Sequence, residues 1–180
     1  RSNTVSDTEL KELNNRYKPM YEPVGDDFSI TLATRRDQVD YINDKRLSEL
    51  DEDKYFFEGE IKGDFPEGSL PTPLELELKK GAQVIFIKND TERRWVNGTV
   101  GLISDIADER IFVVLETGEE YEVERDVWEN IRYTYNEKEK RIEEKVLGTF
   151  IQFPLRLAWA ITVHKSQGLT FNRVIVDFTG

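Results

Sequence analysis

The spacing of apolar residues changes twice along the 180-residue chain. Residues 39–50 place their apolar side chains roughly on one helical face, whereas from Gly81 onward the apolar residues form short runs and alternations typical of strands. Beyond the last of these strands, two short apolar runs flank a polar turn. The pattern predicts an α/β fold: one domain made of residues 1–80 and 154–180, with an all-β insertion at residues 81–153.

Capping patterns predict where the helices of the first segment begin. Ser6-Asp7-Thr8-Glu9 matches the capping box and opens a short helix that runs to about Arg16. A strand is predicted at residues 28–33, and Thr34-Arg35-Arg36-Asp37 repeats the capping pattern before a second helix. Residues 54–73 contain three prolines and three glycines, so they predict an irregular surface linker.

The insertion is predicted to be a small antiparallel barrel. Asn97-Gly98 and Thr117-Gly118 are turn signals between apolar runs, and no helical spacing interrupts them. The predicted strands are residues 84–87, 100–106, 111–115, 121–123, 131–135 and 142–153.

The stretch after the insertion carries the most informative chemistry. An apolar run at residues 157–163 breaks into His164-Lys165-Ser166-Gln167-Gly168, and residues 174–176 form a second apolar run. At the end of a buried strand, a hydroxyl, an ammonium group and backbone N–H groups can converge on one phosphate. The residues alone equally allow a strand, a solvated turn and a second strand.

Three segments, in order, resemble one protein family. Residues 160–171 resemble motif V of the superfamily 1 DNA helicases of the 5′→3′ branch, which contains the RecD-like and Pif-type enzymes. Residues 81–90 and 94–101 resemble the Pif-type stretch that leads into a small inserted barrel. Residues 30–43 resemble the strand, loop and helix of the second RecA-like domain, which packs along single-stranded DNA.

The resemblance implies a fold and a function. The fold would be a partial second RecA-like domain of the P-loop NTPase type, interrupted by an SH3-like β-barrel. The function would be that of the C-terminal part of an ATP-dependent 5′→3′ DNA helicase, which contacts single-stranded DNA and forms one side of the ATP cleft. Two alternatives remain open: a non-enzymatic β-barrel module that binds nucleic acid or protein, and a degenerate helicase fold that acts as a structural adaptor.

The resemblance also implies which residues contact ligands, and several have a structural alternative. Thr34 could instead cap a helix, Trp95 could pack on its neighbours, and Asn97 could be a left-handed turn residue. Threonine stands at position 170 where some relatives carry a glutamate that is proposed to touch the nucleotide sugar. The implied DNA contacts are Thr34, Asn43, Trp95, Asn97, Thr162, His164, Lys165 and Ser166, and the implied nucleotide contacts are Gln167, Gly168 and Thr170.

The sequence lacks the elements that would hydrolyse ATP. It contains no Gly-Lys dipeptide, so it contains no P-loop, and the family's Mg²⁺-binding acidic box is expected in a separate first RecA-like domain. We therefore expect ATP and Mg²⁺ in a longer parent protein and neither of them bound by this chain alone, which should be inactive. No catalytic residue is assigned. His164 is the only histidine and cysteine is absent, so no metal site is expected.

Composition is compatible with this assignment but makes tight DNA binding less obvious. Apolar residues make up 38% and charged residues 34%, and no apolar run is long enough to span a bilayer, so a cytoplasmic protein without a membrane partner is expected. The net charge of −11 is unusual for a DNA-binding protein. Much of the acid lies in separate runs, and a helicase holds DNA in a groove, where the local charge matters more than the total.

Overall fold

The structure is a computed structural model that describes residues 6–18, 21, 28–137 and 139–177. Its three helices are α1 (Asp7–Asn15), α2 (Arg36–Glu49) and the single turn α3 (Val163–Ser166), and a 3₁₀ turn covers Glu67–Ser69. Its strands are β1 (Ile30–Ala33), β2 (Tyr55–Glu58), β3 (Glu60–Gly63), β4 (Glu75–Leu78), β5 (Gln83–Phe86), β6 (Val100–Ala107), β7 (Arg110–Leu115), β8 (Glu120–Val123), β9 (Asp126–Asn136), β10 (Arg141–Gln152), β11 (Leu155–Leu157), β12 (Ala160–Thr162) and β13 (Val174–Asp177).

Helix α1 begins as its sequence predicts. The Ser6 hydroxyl accepts a hydrogen bond from the backbone N–H of Glu9 at 3.3 Å, and the Ser6 N–H donates to the Glu9 carboxylate at 2.8 Å. These reciprocal bonds satisfy N–H groups that the first helical turn leaves without partners. The capping-box prediction is confirmed.

The α/β part contains a three-stranded parallel sheet in the order β12-β1-β13. The central strand β1 pairs with β12 on one side and β13 on the other, with Ala33 level with both Thr162 and Asp177. Helix α2 packs on β1 and β12. All three strands therefore end at the same edge of the sheet, and the segments that follow β1 and β12 leave from neighbouring positions.

The remaining strands are antiparallel. Strands β5 to β8 form a meander, and β11 returns beside β5, which gives a five-stranded sheet in the order β11-β5-β6-β7-β8. Strands β9 and β10 form a long hairpin, and β3 joins it along β10. Within the described residues these strands form open sheets and no closed barrel, so the predicted SH3-like barrel is not confirmed as such.

Two predictions about the flanks of the insertion need correction. Residues 54–73 are not an irregular linker, because β2 pairs with β4 and β3 pairs with β10. The apolar run at residues 157–163 is not one strand either. Its first residue, Leu157, is the last residue of β11 in the antiparallel sheet. Its later residues, Ala160–Thr162, form β12 in the parallel sheet. Strand pairs therefore cross both predicted domain limits, which remain a prediction.

One large hydrophobic core joins the antiparallel strands to helix α2. It includes Leu47 of α2, Phe57 of β2, and Val84 and Val113 of the five-stranded sheet, all of which are buried. A smaller cluster of Ala33, Val39 and Ala160 lies between α2 and the parallel sheet. The site described below is thus built on a buried framework.

Among the described residues, no helix combines the length and the apolar character required to cross a membrane.

Candidate nucleic-acid interface

The segments with the predicted DNA contacts meet at the carboxyl edge of the parallel sheet. Ala33 of β1 lies beside Thr162 of β12, so Thr34 and the first residue of α3 follow at neighbouring positions. In α/β sheets, ligands bind outside the carboxyl ends of the strands, because loops and helix starts converge there. The structure therefore brings together two segments that are separated by more than one hundred residues of sequence.

Thr34 does not cap helix α2. The cap position is Arg35, and no side chain makes a capping hydrogen bond there. The Thr34 side chain is exposed and forms no hydrogen bond with the described residues. The predicted capping role is therefore wrong, and the hydroxyl stays available to a ligand.

The turn after β12 presents an imidazole and an ammonium group to solvent. His164 and Lys165 are exposed and form no ion pair within the part of the chain that the structure describes. The Ser166 hydroxyl donates to the Val163 carbonyl at 2.7 Å, which leaves its oxygen able to accept a further bond. Thr162 is half-buried at the start of this turn, and its side chain makes no capping bond. This arrangement suits an anion.

The residues predicted to face the nucleotide follow the same turn. Gln167 and Thr170 are exposed, and Gly168 has a φ of +80°, where an added Cβ would meet nothing within 4 Å. The Leu169 N–H donates to the Ser166 carbonyl at 3.0 Å and closes the turn. The backbone at Gly168 is therefore open to an approaching group.

Asn43 is a buried structural residue in this conformation. Its side-chain N–H donates to the Ala160 carbonyl at 3.0 Å, and its side-chain oxygen accepts from the Ala160 N–H at 2.9 Å. The side chain is 8% exposed. Asn43 therefore connects α2 to strand β12, because it satisfies both backbone groups of Ala160, and its contact with DNA stays a prediction.

Trp95 belongs to the hydrophobic core. Its indole is 6% exposed and stacks on Phe86 with ring centroids 4.3 Å apart, and the Arg94 guanidinium lies over the indole ring at 4.6 Å from its centroid. A ring enclosed in this way has no free face for a base. The structure supports the packing alternative, and the contact between Trp95 and a base stays a prediction.

Next to this tryptophan, Asp90 organises the loop between β5 and β6. Its carboxylate accepts two hydrogen bonds from the Arg94 guanidinium, at 2.8 and 3.0 Å, and two from the backbone N–H groups of Glu92 and Arg94. The bonds from Arg94 are the main reason that the pKa of Asp90 is lowered to about 2. Asp90 and Arg94 therefore have their bonding partners within the loop itself.

The end of the same loop touches the α3 turn. Gly98 has a φ of +98°, and a Cβ there would lie 2.8 Å from Cδ2 of Leu169. Gly98, and not Asn97, is therefore the left-handed residue, so that prediction is wrong. Asn97 is exposed, and its backbone N–H donates to the Asn89 side chain at 2.8 Å. The β5–β6 loop thus reaches the candidate interface by close packing.

No metal-binding cluster supplements this interface. Among the described residues, no group of three or more histidine, cysteine, aspartate or glutamate side chains is arranged to hold a metal ion.

Comparisons with known proteins connect this geometry to a family. No family model matches the chain. A protein named ATP-dependent DNA helicase Pif1 from Bdellovibrio bacteriovorus is 34% identical over 159 residues, which cover 86% of this chain and 34% of that protein. The crystal structure of Bacteroides sp. Pif1 in complex with ADP-AlF4 has a TM-score of 0.87 at 35% identity, covering 97% of this chain and 40% of that one. The chain is related to the Pif-type helicases of superfamily 1.

The similarity extends to a relative with bound DNA, and it is partial in length. Bacteroides Pif1 bound to single-stranded DNA matches with a TM-score of 0.72 and 35% identity over 96% of this chain and 39% of that chain. Human ATP-dependent DNA helicase PIF1 is 32% identical over 155 residues, which are 81% of this chain and 22% of that protein. The chain thus spans about a third of the length of curated Pif1 relatives such as the Bdellovibrio protein, and corresponds to their C-terminal portion.

Sequence reasoning missed one charged residue near the interface. Arg156 lies in β11, is half-buried, and its Nε atom is enclosed without a hydrogen-bond partner. The signal was present in the sequence, because a single charge interrupts the apolar residues between Phe153 and Ile161.

Proposed function

We propose that the chain is the DNA-contacting C-terminal part of an ATP-dependent DNA helicase of the Pif type. The observation that carries the proposal is the exposed imidazole of His164 and the exposed ammonium group of Lys165, beside the free Thr34 hydroxyl at the carboxyl edge of the parallel sheet. The names of the relatives supply the activity: they are ATP-dependent DNA helicases, and one solved relative is bound to single-stranded DNA.

The DNA contacts in this proposal come from exposed or half-buried groups. Hydroxyls, a cation and an imidazole at a strand end suit the phosphate backbone of a single strand, which is bound largely through charge and hydrogen bonding. Asn43 and Trp95 are left out because both are buried and engaged. The proposed contacts are Thr34, Asn97, Thr162, His164, Lys165 and Ser166.

The net charge of −11 does not oppose this site. Many acidic side chains are paired with a neighbouring cation, as in Asp105 with Lys80 at 3.4 Å and Glu77 with Lys54 at 2.6 Å. Lys165 has no such partner among the described residues, so it contributes a local positive charge. Local sign governs the attraction of a strand that approaches this edge.

In this proposal the chain forms only one side of the ATP-binding cleft. Gln167 and Thr170 are exposed, and the open backbone at Gly168 fits the approach of a nucleotide. A phosphate cradle needs a P-loop, which this sequence lacks. ATP with Mg²⁺ would supply the free energy for movement once held against a first RecA-like domain. The residues of this chain would then hold the strand and orient the α3 turn between the two ligands.

The antiparallel part is assigned to an SH3-like barrel in this proposal, inserted into a second RecA-like domain. Strands β5 to β8 run as a meander, and β11 returns beside β5, which is the strand order that such a small barrel needs before it closes. The last strand of the unit would then be β11, at Leu155–Leu157, so the insertion would extend slightly beyond residue 153.

Replacement of Lys165 by alanine in the full-length protein tests the DNA site. We expect weaker binding of a labelled oligo(dT), measured by fluorescence anisotropy, and a salt dependence shallower by about 0.7 to 1 unit of log–log slope, because one phosphate contact is lost. Ser166→Ala should weaken binding without changing the slope. Both variants should reduce DNA-stimulated ATP hydrolysis.

Lys80→Ala is the matched control, because it removes a lysine from an exposed turn of the antiparallel sheet, away from the parallel edge. It should leave the affinity and the slope unchanged. If Lys165→Ala and Ser166→Ala bind DNA and hydrolyse ATP like the unchanged protein, the turn is only a solvated turn. A non-enzymatic binding module or a structural adaptor would then be the better assignment.

The 180-residue chain by itself should show no ATP hydrolysis above background. The missing P-loop would supply most of the electrostatic stabilisation for phosphoryl transfer. DNA-stimulated hydrolysis by the purified chain would contradict the proposal.

A further inference from the structure

Arg156 is a cation without a counter-charge of its own. It lies at the centre of β11, where its neighbour Leu155 is fully buried and Leu157 packs against the same core. Its guanidinium forms no hydrogen bond or ion pair with the described residues, and its Nε atom is sealed from solvent. A partly buried cation of this kind normally has a carboxylate partner, because the protein must replace the water that it loses.

Other half-buried arginines in the chain do have such partners. The Arg94 side chain is 30% exposed and lies 2.8 Å from the Asp90 carboxylate. The Arg46 side chain, also 30% exposed, lies 4.0 Å from Glu49. Arg156 is the exception among the described residues with comparable burial, so its environment calls for a different kind of anion.

The charges that act on Arg156 lie along helix α2. Burial lowers the pKa of Arg156, the positive charge of Arg36 lowers it further, and Asp40 opposes them. Asp40 cannot serve Arg156 fully, because its carboxylate lies 3.7 Å from the Arg36 guanidinium. Asp40 is within ion-pair distance of Arg36 and forms no ion pair with Arg156, so the positive charge of Arg156 is left without an ion pair among the described residues.

This positive pair lies on the path towards the candidate interface. Arg36, Asp40 and Asn43 are spaced along one face of α2, and Asn43 binds Ala160 of the strand that follows Arg156. Arg36 is the first residue of α2, two positions after Thr34. Helix α2 thus runs from Arg36, at the exposed carboxyl edge, to Asn43, at the buried contact with Ala160.

We propose that Arg156 and Arg36 bind a backbone phosphate of the same DNA strand that passes Thr34 and Lys165. The inference rests on the proposed function and adds a second phosphate contact, at the start of α2 two residues after Thr34. A phosphate supplies acceptor oxygens to Arg156, which has none, and to Arg36, whose nearest carboxylate oxygen is 3.7 Å away, and planar guanidinium groups suit such an anion. Arg156 would position the phosphate from its half-buried strand, and Arg36 would cover it from solvent.

The test uses Arg156→Gln in the full-length protein, with oligo(dT) affinity measured over a range of KCl concentrations. We expect binding about tenfold weaker at low salt and a slope shallower by about 0.7, as for one lost contact to a single strand. Arg156→Lys keeps the charge and should restore the slope. Arg110→Gln, which removes an exposed arginine of β7, is the matched control and should change neither quantity.

A comparison with Lys165→Ala and two further measurements separate the outcomes. If Lys165→Ala weakens DNA binding and Arg156→Gln does not, the second contact is absent and the proposed function stands. If neither variant weakens binding, both ideas fall. Loss of binding of a fluorescent ATP analogue with DNA affinity intact would assign the phosphate to the nucleotide and overturn the inference. Thermal unfolding tests whether Arg156 only stabilises the fold. A lower Tm for Arg156→Gln with unchanged DNA affinity per folded molecule would also overturn the inference.

Discussion

Two polar segments that lie close together, the β5–β6 loop and the α3 turn, differ in whether their charged side chains form ion pairs within the protein. The β5–β6 loop encloses Trp95, and Arg94 and Asp90 neutralise each other beside it. The α3 turn leaves His164 and Lys165 exposed and without ion pairs among the described residues. A loop that satisfies its own groups stabilises the fold, whereas a turn that leaves them free can bind something else. We therefore expect substitutions in the β5–β6 loop to lower the stability of the fold strongly, and substitutions in the α3 turn to lower it little.

The largest effect should come from Trp95→Ala. The indole is 6% exposed and stacks on Phe86, so its removal leaves a cavity in the main core. We expect the free energy of unfolding to fall by about 3–5 kcal/mol, measured by urea denaturation. Val96→Ala is the neighbouring control, since Val96 is 61% exposed and should cost little. A loss below about 1 kcal/mol would show that Trp95 is not a core residue and would reopen base stacking.

Asn43→Ala should have the next largest effect, and it extends the contrast to the interface itself. The substitution leaves the buried N–H and carbonyl of Ala160 without partners, which costs about 1–3 kcal/mol for each group. We expect unfolding at correspondingly lower urea concentrations. Asp44→Ala, at an exposed neighbouring position, should be neutral. Oligo(dT) affinity measured on the folded fraction should stay close to normal. Weaker DNA binding with unchanged stability would restore the direct contact that the sequence resemblance implies.

Asp90→Asn should have a smaller effect that depends on pH. The folded-state pKa of Asp90 is lowered to about 2 from 3.8, so its stabilisation is complete above the unfolded-state value and is lost as the pH falls through about 2. The linkage limits the contribution to about 2 kcal/mol at neutral pH. Urea denaturation at several pH values should show a constant difference from the unchanged protein above pH 5 and a shrinking one below pH 4. A difference that does not depend on pH would separate the loop's stability from this charge pair.

The elements with a local sequence signal could be predicted, and those that depend on distant partners could not. The capping box at Ser6 is read from four adjacent residues, and both of its hydrogen bonds are present. Strands β2 and β3 were predicted as a linker because their pairing depends on β4 and on β10, far along the chain. The split between β11 and β12 has the same cause, since one apolar run serves two sheets.

The same distinction applies to the candidate site. The polar turn at residues 164–168 could be found from sequence because its composition breaks an apolar run. The burial of Asn43 could not be predicted, because its partner Ala160 lies 117 residues away. Arg156 illustrates the opposite case, since its lack of a partner is visible only once the surroundings are known. Local composition therefore indicates where a site lies, and packing decides which of its polar residues remain available.

The smallest effect should come from Thr34→Ala, and it separates two roles for one hydroxyl. A threonine that caps a helix contributes typically about 1 kcal/mol, whereas an exposed hydroxyl without an intramolecular partner contributes less than about 0.5 kcal/mol. Since the N-cap of α2 is Arg35, with no side-chain capping bond, we expect the smaller value by urea denaturation, together with weaker oligo(dT) binding. Thr72→Ala is the matched threonine: its hydroxyl is buried and donates to the Leu155 carbonyl at 2.6 Å, so its removal should cost about 1–3 kcal/mol. A loss near 1 kcal/mol for Thr34→Ala with unchanged DNA affinity would indicate that Thr34, like Asn43 and Trp95, stabilises the fold, and that Thr34 does not contact DNA.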